Sequence, residues 1–197
     1  MSYYPFIKDN YRCFINQNIE EMTNLFPIEH YIIKKTIKIK SYTSDFLNIS
    51  LITDSNAPPY IYLSGINGAK NLDKIKEYNI TFILNCTKDI PNYFENNTNI
   101  KYMRVPIDDT SNMHIEKYFA ATFDFIDNAV SSNNNILVHC YAGMSRSATI
   151  LIAYFMRKYK WSYVKALKFV KEKRSIVNPN SDFVDALEKY QMELKII

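Results

Sequence analysis

The sequence predicts an α/β fold in which a largely parallel central sheet is flanked by helices. Three observations carry that expectation. From Tyr60 onward, short apolar runs alternate with longer segments at helical spacing. The runs lack strict polar alternation, as expected of strands covered on both faces. The chain has 197 residues, 47% hydrophobic and 22% charged, a size and composition that suit one ordinary domain, or one plus an appendage, and exclude wholesale disorder.

Residues 1–56 read as an N-terminal extension and residues 57–197 as the main domain. Within the extension, Asn16 to Phe26 is a short amphipathic helix candidate stopped by Pro27. Partial alternation follows at Ile33, Ile37 and Ile39, and again at Leu47, Ile49 and Leu51. Ala57-Pro58-Pro59 then marks the boundary. The extension is expected to pack on the main domain, dock substrate, or make a homodimer contact through the Asn16 to Phe26 segment. In the main domain the expected order is strand Tyr60 to Ser64, helix Ala69 to Tyr78, strand Ile80 to Asn85 and strand Ile100 to Val105. A helix from Met113 to Val130 follows, and the run Asn133-Asn-Asn135 reads as the loop leading to strand Ile136 to His139. Helices over Arg146 to Tyr159, Ser162 to Lys173 and Ser181 to Leu194 complete the chain.

Lysine and arginine total 24 against 20 aspartates and glutamates, a net charge of +4. That is below what a dedicated nucleic-acid binder carries, and no stacking aromatics are interleaved with the basic residues, so nucleic acid is not an expected partner. Three cysteines, Cys13, Cys86 and Cys140, close no disulfide framework and match no zinc spacing. A reducing, cytoplasmic setting follows, with the nucleus left open. The first residues lack the charged head and apolar run of a signal peptide. The longest mostly apolar stretch, Ala148 to Met156, falls well short of the ~20 residues a membrane span needs.

The segment Val138-His-Cys-Tyr-Ala-Gly-Met-Ser-Arg-Ser-Ala148 carries chemistry. It joins a buried strand to an apolar helix, which puts Cys140 at the carboxyl end of a strand, where open α/β sheets bind ligands. Tyr141, Ala142, Gly143, Met144, Ser145 and Arg146 turn the chain into the helix, and Gly143 lets the turn tighten. Such a turn aims successive backbone N–H groups into its own hollow, with the positive end of the helix behind it. Arg146 adds a planar fork of donors suited to two phosphoryl oxygens. Helix N-termini and neighbouring cations favour the thiolate form of a cysteine. A thiolate beside a phosphate cradle points to attack on phosphorus, giving a phosphocysteine that is then hydrolysed. Ser147 is placed to donate to the sulfur as it leaves. The competing reading, an inert buried cysteine, fits a lone Cys better than one followed by Gly143 and Arg146.

This run, His139 to Ala148, resembles the signature loop of the cysteine-based dual-specificity protein phosphatases. Similarity extends to Tyr62-Leu-Ser-Gly65, Ile80-Thr-Phe-Ile-Leu-Asn85, Tyr154-Phe-Met-Arg157, Ala166-Leu-Lys-Phe-Val170 and Ile176-Val-Asn-Pro-Asn-Ser-Asp-Phe183, covering about residues 57–195. The resemblance implies the cysteine-based phosphatase fold and a shallow pocket that admits phosphoserine and phosphothreonine as well as phosphotyrosine. Phosphorylated proteins are then the expected substrates, and no metal or other cofactor is expected. A phosphoester also needs a proton for its leaving oxygen. In Val105-Pro-Ile-Asp108-Asp109-Thr-Ser-Asn112 the two acids are adjacent, and residue chemistry alone does not choose between them. By the family pattern Asp109 aligns with the general acid. His139, Asn85 and Asn178 read as supports of the loop. Cys86, also at a strand end, would trap an oxidised Cys140 as a disulfide, though a packed small side chain is the simpler reading. Lys165, Lys168, Lys171, Lys173 and Arg174 form a basic stretch that reads first as a solvated face and second as a dock for acidic segments.

Two other enzyme classes are built on the same loop. Phosphoinositide-directed relatives commonly carry lysines within the loop, whereas Tyr141, Ala142, Met144 and Ser145 are uncharged. RNA 5′-triphosphatases usually follow the arginine with Thr-Gly, whereas Ser147-Ala148 stands here. A catalytically dead phospho-binding module usually lacks the nucleophile, the arginine or the acid, and all three are present.

Overall fold

A computed structural model describes residues 45, 48–53, 56–110 and 113–196. The chain divides into Met1–Ser41 and Tyr42–Ile197, and every described residue belongs to the second unit. The expected Asn16 to Phe26 helix, the alternation through Ile33 to Ile39 and the dimer contact lie outside the described residues.

Five strands form one sheet in the order β1-β2-β5-β3-β4. They are β1 (Ser50–Leu51), β2 (Ile61–Ser64), β3 (Ile80–Asn85), β4 (Lys101–Arg104) and β5 (Asn135–His139). The pairs β2·β5, β5·β3 and β3·β4 are parallel, and only the edge strand β1 runs antiparallel to its neighbour. The predicted largely parallel sheet is therefore present. It gains a two-residue edge before the expected boundary at residue 57, because Ser50 and Leu51 pair with Leu63 and Tyr62. β2 and β5 are buried throughout, which explains why their sequences are apolar runs and not alternations.

Helices cover both faces. On one side Ile66–Ala69 (α1) and Leu72–Glu77 (α2) contribute Ala69 and Ile75 to a small core with Tyr62, Ile83 and Leu137. On the other side, Phe119–Ser131 (α3), Arg146–Tyr159 (α4), Tyr163–Lys173 (α5) and Ser181–Glu193 (α6) enclose the main core with Leu63, Phe82, Leu84, Ile136 and Val138. α4 is the central helix: all ten residues from Ser147 to Met156 are buried. Among the described residues no helix is long and apolar enough to cross a membrane.

Two helices differ from expectation. The segment expected as one helix from Ala69 to Tyr78 is two short ones, because Asn71 leaves helical geometry and its side chain accepts the Lys74 N–H at 3.1 Å. α1 starts earlier than expected and packs tightly, since a Cβ on Gly68 would meet Ile49 Cγ1 at 2.6 Å and Ser64 Cβ at 2.7 Å. The expected Met113 to Val130 helix opens as a 3₁₀ turn over Ile115–Tyr118 before becoming α3.

Parallel register aligns the strand ends. Ser64 and Asn85 both sit opposite His139, and Arg104 sits opposite Asn85, so four strands deliver their following loops to one edge.

Candidate active site

Cys140 follows the last residue of β5 and is 1% exposed. Its Sγ accepts the Gly143 N–H at 3.2 Å and the Ser147 hydroxyl at 3.1 Å. Ser147 sits in the first turn of α4, fully buried, so its hydroxyl has a fixed direction.

The carbonyls of the turn all find donors on its outer side. Tyr141 O accepts the Ile66 N–H at 2.9 Å, and Met144 O accepts the Asn178 N–H at 3.0 Å. Ala142 O accepts Arg174 Nη2 at 2.9 Å and Gly143 O accepts Arg174 Nε at 2.8 Å. Ser145 O accepts the N–H and the hydroxyl of Thr149. In a trans peptide the N–H of the next residue points opposite to the carbonyl. Anchoring carbonyls 141 to 145 on the outside therefore turns the amides of Ala142, Gly143, Met144, Ser145 and Arg146 toward the hollow. Gly143 makes this turn feasible: its φ is +68°, and a Cβ there would lie 2.5 Å from the Ser64 backbone.

Arg146 leads α4 and lies largely covered, with Nη1 donating to Ile107 O at 3.2 Å. Its Nε is buried without a hydrogen-bond partner, 3.6 Å from Asp109 Oδ2. Buried polar groups in folded proteins are almost always satisfied, so an orphaned guanidinium donor beside a ring of amides marks a place for an anion.

The structure separates the two adjacent acids. Asp108 turns outward to an exposed ion pair with Lys88 at 3.2 Å. Asp109 turns inward, where Oδ1 accepts Ser145 Oγ at 2.8 Å and Asn180 Nδ2 at 2.9 Å. Ser145 was expected only as a phosphate-binding residue through its backbone; its side chain also ties the turn to the acid.

His139 is 1% exposed, and burial lowers its pKa to about 4, so it is neutral near pH 7. Its Nδ1 lies 3.5 Å from Cys140 O, a position suited to supporting the turn. Asn85 organises the neighbouring loop: its amide donates to Ile90 O and Asn92 Oδ1, and its Oδ1 accepts from Thr87. Asn178 supports the turn by its backbone N–H, its side chain being exposed. Cys86 is fully buried with a free thiol, and its N–H donates to His139 O at 2.8 Å. Burial, and secondarily the neighbouring Cys140, push the Cys86 thiol well up, which disfavours its nucleophilic form.

Two residues escaped the sequence reading. Arg174, assigned to the basic stretch, is fully buried and clamps the turn from behind. Burial lowers its pKa to about 10, still leaving it charged. A signal existed: Tyr163, Ala166 and Val170 form the buried stripe of α5, and Arg174 continues it four residues on, while Lys165, Lys168 and Lys171 are exposed. Asn180 was legible as a helix cap but not as a partner of Asp109, which lies 71 residues away in sequence.

The family described as "Dual specificity phosphatase, catalytic domain" matches residues 61–193. The chain is 37% identical over 138 residues to dual specificity protein phosphatase 9 of Homo sapiens, covering 70% of this chain and 36% of that protein. It is 39% identical over 136 residues to dual specificity protein phosphatase 6 of Homo sapiens, covering 69% and 36%. The chain thus spans about a third of the length of these curated relatives. The solved Yvh1 phosphatase domain from Chaetomium thermophilum superposes with a TM-score of 0.65 at 30% identity, covering 74% of this chain and 96% of that one.

Proposed function

The chain belongs to the dual specificity phosphatase family, and from that membership we propose that it is a protein phosphatase acting on phosphotyrosine and on phosphoserine or phosphothreonine through a phosphocysteine intermediate. The phosphoryl group fills the hollow of the turn, held by the amides of residues 142 to 146 and by the Arg146 guanidinium. Cys140 Sγ attacks phosphorus while the ester P–O bond breaks, and Asp109 delivers a proton to the leaving oxygen. Water then attacks the phosphocysteine and gives its proton to Asp109. The S–P bond breaks, and the electron pair returns to a sulfur that Ser147 meets with its hydroxyl. The amides and Arg146 supply the charge stabilisation in both steps. The observation that carries this reading is a Cys140 sulfur that already accepts two donors, in the same turn as an Arg146 Nε that is buried without a hydrogen-bond partner.

Phosphorylated proteins are the proposed partners, in keeping with the uncharged residues of the turn. Two free, buried cysteines support a reducing cytoplasmic setting. The test is phosphate release from phosphotyrosyl and phosphothreonyl peptides, with inositol lipids and triphosphate-ended RNA run beside them. We expect release from both peptide classes, and Cys140→Ser should abolish turnover while still retaining phosphopeptide. Turnover by Cys140→Ser, or release from lipid or RNA alone, overturns the proposal.

A further inference from the structure

Asp109 sits in a loop without regular secondary structure, yet a proton donor has to meet the leaving oxygen in a narrow range of directions. Two groups from outside its own loop hold the carboxyl group. Among the described residues, Oδ1 accepts two hydrogen bonds, from Ser145 Oγ and Asn180 Nδ2, while Oδ2 accepts none and lies 3.6 Å from Arg146 Nε. We propose that Asn180 is the positioning residue of the proton donor: its amide occupies Oδ1 of Asp109 and so leaves Oδ2 as the oxygen that carries the proton to the substrate. This rests on the reading of Asp109 as the acid.

The chemistry of the amide makes the arrangement directional. Asn180 is the N-cap of α6, and its Oδ1 accepts the Phe183 N–H at 3.0 Å. With the oxygen committed to the helix, the NH₂ group has to face Asp109. The cap is itself rigid, because Phe183 and Leu187 of α6 are fully buried in the main core. Asn180 also reaches the second donor: its backbone N–H lies 3.4 Å from Ser145 Oγ, the hydroxyl that donates to the same carboxylate oxygen. One residue therefore ties the acid loop, the turn after Cys140 and the last helix together.

The two duties of Asn180 separate by mutation. Serine and aspartate both cap helices well. Asn180→Ser keeps the cap and loses the reach to Asp109; Asn180→Asp keeps the cap and removes the donor. Neither should shift the melting temperature appreciably. The readout is kcat/KM over a series of aryl phosphates of graded leaving-group basicity, with Asp109→Asn measured in parallel. We expect Asn180→Ser to lose about tenfold on phenyl phosphate, the size of a small misplacement of a catalytic group. The loss should vanish for aryl groups that depart without a proton, following the trend of Asp109→Asn at smaller amplitude. A uniform loss across the series, or no loss, overturns the role of Asn180 while Asp109→Asn still steepens the dependence. If Asp109→Asn itself leaves the dependence unchanged, the acid assignment fails first and this proposal with it.

Discussion

The turn from Cys140 to Arg146 is fixed through its own backbone, whereas the loop from Val105 to Thr110 presents its acid by means of side chains that reach it from elsewhere. Each carbonyl from Tyr141 to Ser145 has a donor, and Cys140, Ser145 and Ser147 are buried. In the acid loop, Ile107 is buried and its carbonyl meets Arg146, but among the described residues Asp109 is held by Ser145, Asn180 and its approach to Arg146. Charge stabilisation at phosphorus requires donors that are already in place when charge develops. Proton delivery needs one oxygen aimed correctly. On the proposed mechanism, a backbone ring would supply the first requirement and a pair of side-chain hydrogen bonds the second.

The contrast predicts how each region fails. The largest effect belongs to the acid loop and should be purely kinetic. Asp109→Asn should slow hydrolysis of an unactivated phosphoester by about 10²- to 10⁴-fold with an unchanged melting temperature. Asp108→Asn, which breaks only an exposed pair with Lys88, should stay near wild type. Steady-state rates of both variants settle the matter, and a crippled Asp108→Asn beside an intact Asp109→Asn would reverse the assignment.

The backbone-held turn should fail in stability and rate together. Arg174→Met leaves the Ala142 and Gly143 carbonyls without their donors, a cost of about 2–4 kcal/mol for two buried acceptors. Urea unfolding should register that loss, and turnover should fall with it. Arg174→Lys should recover part of both, because a single ammonium reaches fewer of the acceptors. A variant of full stability with reduced turnover would show that the clamp acts on chemistry alone.

The smallest effect lies beneath the turn. His139 is neutral in the folded chain, with a pKa lowered to about 4 by burial against an ordinary value of 6.5. Between those values the unfolded chain binds a proton that the folded chain does not, so stability should fall as pH drops from about 6.5 toward 4. Above pH 7 the residue contributes no pH dependence. Denaturation of wild type and His139→Gln across that window should show a shallower acid slope in the variant, and identical slopes would mean that His139 does not set it.

What could be read in the sequence follows the same division. Cys140, Gly143, Arg146 and Ser147 lie within eight residues, so local spacing alone placed them between a strand and a helix. The strands β2, β3 and β5 were legible because burial on both faces leaves largely apolar runs. Asp109 could be distinguished from Asp108 only through family resemblance, because adjacent residues share composition and differ in direction. Arg174 and Asn180 act over 31 to 71 residues of chain, through contacts that only the tertiary fold creates. The break in the helix at Asn71 arises from a side chain competing for the backbone, a small preference that periodicity does not register.

The buried guanidinium also has a second pair of acceptors. Arg174 Nη1 donates to Asn48 O at 3.2 Å and to Ser50 Oγ at 3.1 Å, and the Ser175 N–H and hydroxyl both reach Asp45 Oδ2. These contacts lie upstream of residue 61, where the family match begins. A fragment cut to the matched segment would carry every residue of the signature loop and still lose the brace behind it. Anyone trimming this polypeptide for expression should therefore start before Asp45.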